Sequence, residues 1–108
     1  MNLVEQHCVP CEGGVDPLTR EEAETLMKDV PAWQLSEDTK KIGRVFTFKN
    51  WKQAIEFTNV ISEIAESEGH HPDIDLRWGH VGVSLSTHAI KGLSVNDFIL
   101  AAKIDKGT

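Results

Sequence analysis

At 108 residues the chain is long enough for one domain with a real core and too short for two ordinary ones. Its 40% hydrophobic and 26% charged residues suit a soluble globular protein, and 17 acidic against 11 basic residues (net charge −6) argue against a nucleic-acid-binding face or docking on an anionic membrane. No apolar run approaches the roughly 20 residues that span a bilayer, the first seven residues lack a secretory pattern, and two cysteines are too few for a disulfide scaffold, so a cytoplasmic location is expected.

Residues 1–17 read as an irregular N-terminal tail, punctuated by Pro10, Gly13, Gly14 and Pro17. Cys8 and Cys11 form a C-x-x-C pair within it. A structural zinc site needs further ligands that no second C-x-x-C supplies, and a thioredoxin-like motif needs a preceding strand. Residues 18–108 read as a single domain. Thr19 with Glu22 three residues on is a capping box, and Ala23, Leu26, Met27 and Val30 then fall on one helical stripe that Pro31 stops. Trp33 to Glu37 reads as a short strand, and Lys40 to Lys49 as a longer one with Ile42, Phe46 and Phe48 on its core face. A long helix is expected from the N-cap Asn50 to Glu68, with Gly69 in a left-handed stop. Its apolar stripe, widened by Phe57, Val60 and Ile64, is broader than one sheet face requires and suggests a subunit interface. Ile74, Leu76 and Trp78, a turn at Gly79-His80, and Val81, Val83 and Leu85 make a second hairpin. Ser94 with Asp97 caps a last helix. The order α-β-β-α-β-β-α predicts an α+β fold, with a mainly antiparallel sheet covered by helices on one face.

The chemistry-bearing stretch is Glu66-Ser67-Glu68-Gly69-His70-His71-Pro72. Imidazoles titrate near neutrality, and a loop held by rigid flanks is where functional side chains concentrate. In an antiparallel hairpin the start of the first strand opposes the end of the second, so His70 and His71 are expected beside His88. Glu66, four residues before His70, is within reach of its ring if the last turn stays helical, and Asp97 is placed to orient His88. A three-histidine metal site is the competing reading. It is weakened because adjacent side chains diverge in extended backbone.

Glu66, three residues, His70-His71-Pro72, five residues, Trp78, nine residues, His88, eight residues and Asp97 together resemble the pterin-4a-carbinolamine dehydratase family. Leu85-Ser86-Thr87-His88, Gly92-Leu93-Ser94 and Phe46-Thr47-Phe48-Lys49 add to the resemblance, which runs from about Leu18 to the C-terminus. It implies a four-stranded antiparallel sheet, a homodimer or homotetramer, and dehydration of a 4a-hydroxytetrahydropterin to the quinonoid dihydropterin without metal or cofactor. It further implies that the pterin is recycled for aromatic amino-acid hydroxylation. His70 and His88 are then the acid–base pair and His71 holds the substrate. Glu66 and Asp97 orient histidines or bind the pterin, and Trp78 shapes the pocket wall. The competing functions are a protein-interaction module of the transcription-coactivator kind and a pterin-binding module related to molybdopterin.

Overall fold

Three helices and a four-stranded antiparallel sheet alternate as the residue patterns predict. The computed structural model describes residues 3–8 and 16–107, so Cys11 and the turn residues Pro10, Gly13 and Gly14 lie outside the described residues. The elements are α1 (Arg20–Met27), β1 (Gln34–Leu35), β2 (Ile42–Thr47), α2 (Trp51–Glu68), β3 (Asp73–Arg77), β4 (His80–Leu85) and α3 (Val95–Lys106). The sheet order is β1-β2-β4-β3, every pair antiparallel.

Caps decide where the helices begin. The Thr19 hydroxyl accepts from Glu22 N–H at 3.2 Å and the Glu22 carboxylate accepts from Thr19 N–H at 2.9 Å, a complete capping box. Asn50 Oδ1 accepts from Gln53 N–H at 2.8 Å and starts α2. Helix α1 ends at Met27, earlier than its stripe suggests, and the chain turns so that Val30 is still fully buried.

The sheet is two-sided in character. Ile42 and Phe46 of β2 and Val81, Val83 and Leu85 of β4 face the helices, whereas Val45 is 57% exposed on the open face. Phe46 and Phe57 pack with ring centroids 4.6 Å apart, and Trp33 meets Phe46 edge-on at 6.4 Å. Helix α3 lies deepest. Phe98, Leu100, Ala101 and Ile104 are fully buried, and so is the carboxylate of Asp97. A polar clamp ties α3 to the sheet: Asp105 Oδ1 accepts from Trp33 Nε1 at 2.8 Å and from Arg44 Nη1 at 2.6 Å. Arg44 in turn lies 4.3 Å from the Phe46 ring centroid.

Two glycines are needed for different reasons. Gly69 (φ 64°) closes α2, and a Cβ there would meet open space. Gly79 (φ 65°) turns the second hairpin, and a Cβ there would sit 2.8 Å from the carbonyl oxygen of Phe48. Gly69→Ala is therefore expected to cost only the left-handed penalty, about 1–2 kcal/mol. Gly79→Ala should cost clearly more, because backbone must also move. Chemical denaturation of both variants checks the ranking, and equal losses would count against it.

Candidate active site

Gly69 and the residue after it set the direction in which the chain leaves α2. His70 N–H donates to Ala65 O at 3.2 Å, the backward bond that a left-handed stop permits. The His70 ring is thereby turned inward, with 13% of its side chain exposed, and its Nε2 lies 2.6 Å from Asp97 Oδ1. Asp97 sits in the first turn of α3 and is fully buried. Its other oxygen, Oδ2, accepts from Thr87 Oγ1 at 2.8 Å and from Ser94 N–H at 3.0 Å. The same residue thus fastens the helix start and receives the imidazole. An ionised carboxylate can only accept, so Nε2 of His70 carries the proton in this contact, and in the neutral ring the lone pair is then at Nδ1.

The acid–histidine partners differ from the sequence expectation. Asp97 meets His70, not His88, and Glu66 meets His71 with Nε2 and Oε2 3.7 Å apart on the surface. The left-handed Gly69 breaks the i, i+4 relation that would bring Glu66 to His70. Strand parity accounts for His88. Val81, Val83, Leu85 and Thr87 are buried in alternation, so His88 faces the opposite way and is exposed. It opens a short 3-10 turn, His88–Ile90, whose base is fixed by Thr87 N–H donating to Gly92 O at 2.8 Å.

His70, His71 and His88 do share one end of the sheet. Asp73 is paired with Ser84, which brings the chain just before β3 alongside the chain just after β4. Trp78 does not join them. The turn is Trp78-Gly79, with His80 already in β4, so Trp78 stands at the far tip of the hairpin and is 70% exposed. Five residues of β3 separate it from the histidines, about 17 Å at the usual strand rise. Among the described residues, no three His, Cys, Asp or Glu side chains group as metal ligands.

The first residues lie against this site rather than apart from it. Leu3–Glu5 form a 3-10 turn packed on α3, with Leu3 buried. The Glu68 carboxylate, 5% exposed, accepts from Cys8 N–H at 2.8 Å. It also meets His7 Nδ1 at 3.0 Å and Lys103 Nζ at 3.4 Å. Lys103 Nζ donates onward to Val4 O at 3.0 Å, and Cys8 Sγ lies 3.6 Å from Asn96 O. Burial pushes the Cys8 thiol up to about 12, with the negative charges of Glu68 and Asp97 adding to the effect, so it stays protonated at neutral pH. None of this is announced by periodicity, because the contacts that hold the N-terminal segment join residues 60 to 99 positions apart.

Glu68 gives this docking a pH dependence. Burial opposes its ionisation, but the Cys8 N–H, His7 and Lys103 outweigh that and hold the carboxyl below its usual range. A lowered folded value means that the stabilisation is complete above the unfolded value and is lost as pH falls through the folded one. The Cys8 amide, corrected for intrinsic exchange, is expected to keep its protection down to about pH 4.3 and to lose it only below. Loss well above that range would show that Glu68 does not hold the segment.

The chain matches the family model described as pterin 4 alpha carbinolamine dehydratase over residues 16–107. A relative from Methylococcus capsulatus is 48% identical over 105 residues, covering 97% of this chain and 92% of its own. One from Halorhodospira halophila is 50% identical over 105 residues, covering 97% and 96%. The names of both assign them to the pterin-4-alpha-carbinolamine dehydratases. Among solved structures, a transcriptional coactivator/pterin dehydratase from Brucella melitensis superposes with TM-score 0.79 at 28% identity, covering 84% of this chain and 97% of that one. A pterin dehydratase-like protein identified as a RuBisCO assembly factor in the alpha-carboxysome shares the fold, with TM-score 0.60 at 20% identity over 69% of this chain and 87% of its own. With a family model over most of its length and relatives close to half identical along nearly the whole chain, the protein belongs to the pterin-4-alpha-carbinolamine dehydratase family of hydro-lyases.

Proposed function

We propose that this protein dehydrates a 4a-hydroxytetrahydropterin to the quinonoid dihydropterin by histidine acid–base chemistry. The observation that carries the reading is the His70–Asp97 pair, a mostly covered imidazole with Nε2 fixed on a buried carboxylate at 2.6 Å. The reaction needs a base for a ring-nitrogen proton and an acid for the departing hydroxyl, which leaves as water. Nδ1 of His70 is the base, because Asp97 holds its tautomer and stabilises the imidazolium that forms. His88, exposed on the adjoining turn, is the acid. His71 holds the pterin, with Glu66 beside it. Lone-pair and proton positions near neutrality suit both steps, and no cofactor is called for.

Family membership supports the further reading that the product re-enters the cycle of aromatic amino-acid hydroxylation in the cytoplasm. No helix among the described residues is long and apolar enough to cross a membrane. The working form is a homodimer or homotetramer, since α2 exposes Trp51 (47%) and Val60 (39%) to solvent in the single chain. Sedimentation at micromolar concentration should show more than a monomer.

The deciding experiment is dehydration of freshly generated 4a-hydroxytetrahydropterin, followed as quinonoid product above the buffer rate. His70→Ala is expected to slow it at least about tenfold, equivalent to about 1.4 kcal/mol of barrier. Full rates in His70→Ala, His71→Ala and His88→Ala alike would exclude the mechanism. The Brucella neighbour's description as a coactivator favours, as second reading, a protein-interaction module. A chain that folds, binds no pterin and gives no rate above buffer would move the assignment there.

A further inference from the structure

The mechanism leaves one buried titratable group unused. Glu68 lies two residues before His70, has a side chain only 5% exposed, and has partners on two separate parts of the chain. From the N-terminal segment come the Cys8 N–H and the His7 ring, and from α3 comes Lys103. The segment they hold does not end at Glu68. It continues with Cys8 Sγ against Asn96 O, one residue from the carboxylate that receives His70. Leu3, buried at the other end, anchors the same segment to α3 with no charge involved.

We propose that Glu68 is a positioning residue for the His70–Asp97 pair, acting by strapping residues 3–8 across the Asn96–Asp97 turn so that water is kept from that side of the carboxylate. The proposal rests on the His70–Asp97 reading above and extends it to a part of the chain outside the histidine motif. The physical reason is dielectric. A hydrogen bond between an imidazolium and a carboxylate strengthens when water is excluded and weakens when the carboxylate is hydrated. Cys8 suits such a cover because its thiol remains neutral and so adds no second negative charge beside Asp97. Glu68 itself faces the Lys103 ammonium from α3 and the titratable His7 ring from the N-terminal segment, the two elements packed on it.

Two variants of the full-length chain separate this role from simple charge removal. Glu68→Gln unties the strap on the α2 side and removes a charge near His70. Leu3→Ala unties it at the α3 side and changes no charge. In each, amide exchange at Cys8 should accelerate by about tenfold or more, reporting release of the segment. The titration midpoint of the His70 ring, followed by NMR, should then fall in both variants. Were Leu3→Ala to free the segment and leave the His70 midpoint where it is in the parent, the strap would be mere packing and the proposal overturned. Unaltered Cys8 exchange in Glu68→Gln would overturn it equally, since Glu68 would then hold nothing. Neither readout requires turnover, so an absence of dehydratase activity would count against the proposed function alone. Where turnover is present, kcat is expected to fall roughly tenfold in both variants, within the range that acid–base positioning supplies.

Discussion

Replacing Asp97 by asparagine is expected to lower kcat for carbinolamine dehydration by about 10²–10⁴-fold while the protein stays folded. The carboxylate accepts from Thr87 and from Ser94 N–H on Oδ2, and faces the His70 ring with Oδ1. An asparagine keeps its single oxygen where two donors converge, which turns its NH2 toward Nε2. That nitrogen must then accept, the ring proton moves to Nδ1, and the base is lost without any change of shape. Hydrogen-bond reversal of this kind acts on kcat more than on binding. Glu66→Gln supplies the contrast. Glu66 and His71 lie 3.7 Å apart with both side chains mostly exposed, and such pairs contribute little in water, so activity should stay within about threefold of the parent. Steady-state rates of the two variants, with thermal midpoints as the folding control, decide the matter. An Asp97→Asn protein with parental kcat would refute the tautomer argument.

The second large effect is on stability. Phe98→Ala should cost about 3–5 kcal/mol, the usual loss for a buried aromatic cut back to a methyl group. Phe98 is fully buried, follows Asp97 directly, and sits in the helix whose neighbours Ile99, Leu100 and Ala101 are also covered. No side of α3 near it is open to collapse around the cavity. Against a total of about 5–15 kcal/mol, that loss puts a large fraction of the chain near its folding limit. Urea denaturation monitored at Trp33, which lies in the same core, measures it. A shift below about 1 kcal/mol would mean that the helix repacks freely.

How much of this was legible depended on the range of the interaction. Thr19 with Glu22, Asn50, Gly69 and Ser94 with Asp97 are local signals, and each marks an element boundary within a residue or so. The strand faces of β2 and β4 followed from alternation for the same reason. The hairpin turn lies one residue earlier than the sequence suggests, at Trp78-Gly79, because Gly79 takes the left-handed conformation at its second position and His80 already pairs in β4. The alternation of Ile74 and Leu76 extends to Trp78 in the sequence, and the resemblance puts Trp78 on the pocket wall, but β3 ends at Arg77 and releases it. That the histidines gather at one end of the sheet was legible from hairpin geometry. Which acid meets which histidine was not. It turns on the direction a side chain takes after a left-handed residue, and on whether Thr87 or His88 faces inward. Glu68 and the docking of residues 3–8 were invisible, because an irregular segment carries no period and its partners are far away in sequence.

The two halves of the His70–Asp97 pair belong to parts of the molecule with unequal resistance to opening. Asp97 is carried by a helix buried on nearly all sides, and His70 by a four-residue link between α2 and β3. Local fluctuations therefore withdraw the imidazole long before they disturb the carboxylate. Each excursion leaves the acceptor in place, with Thr87 and Ser94 still bonded to it, and the histidine has one position to return to. The site can lose its imidazole and recover it within a native-state fluctuation, on a timescale set by a loop and not by refolding of the core.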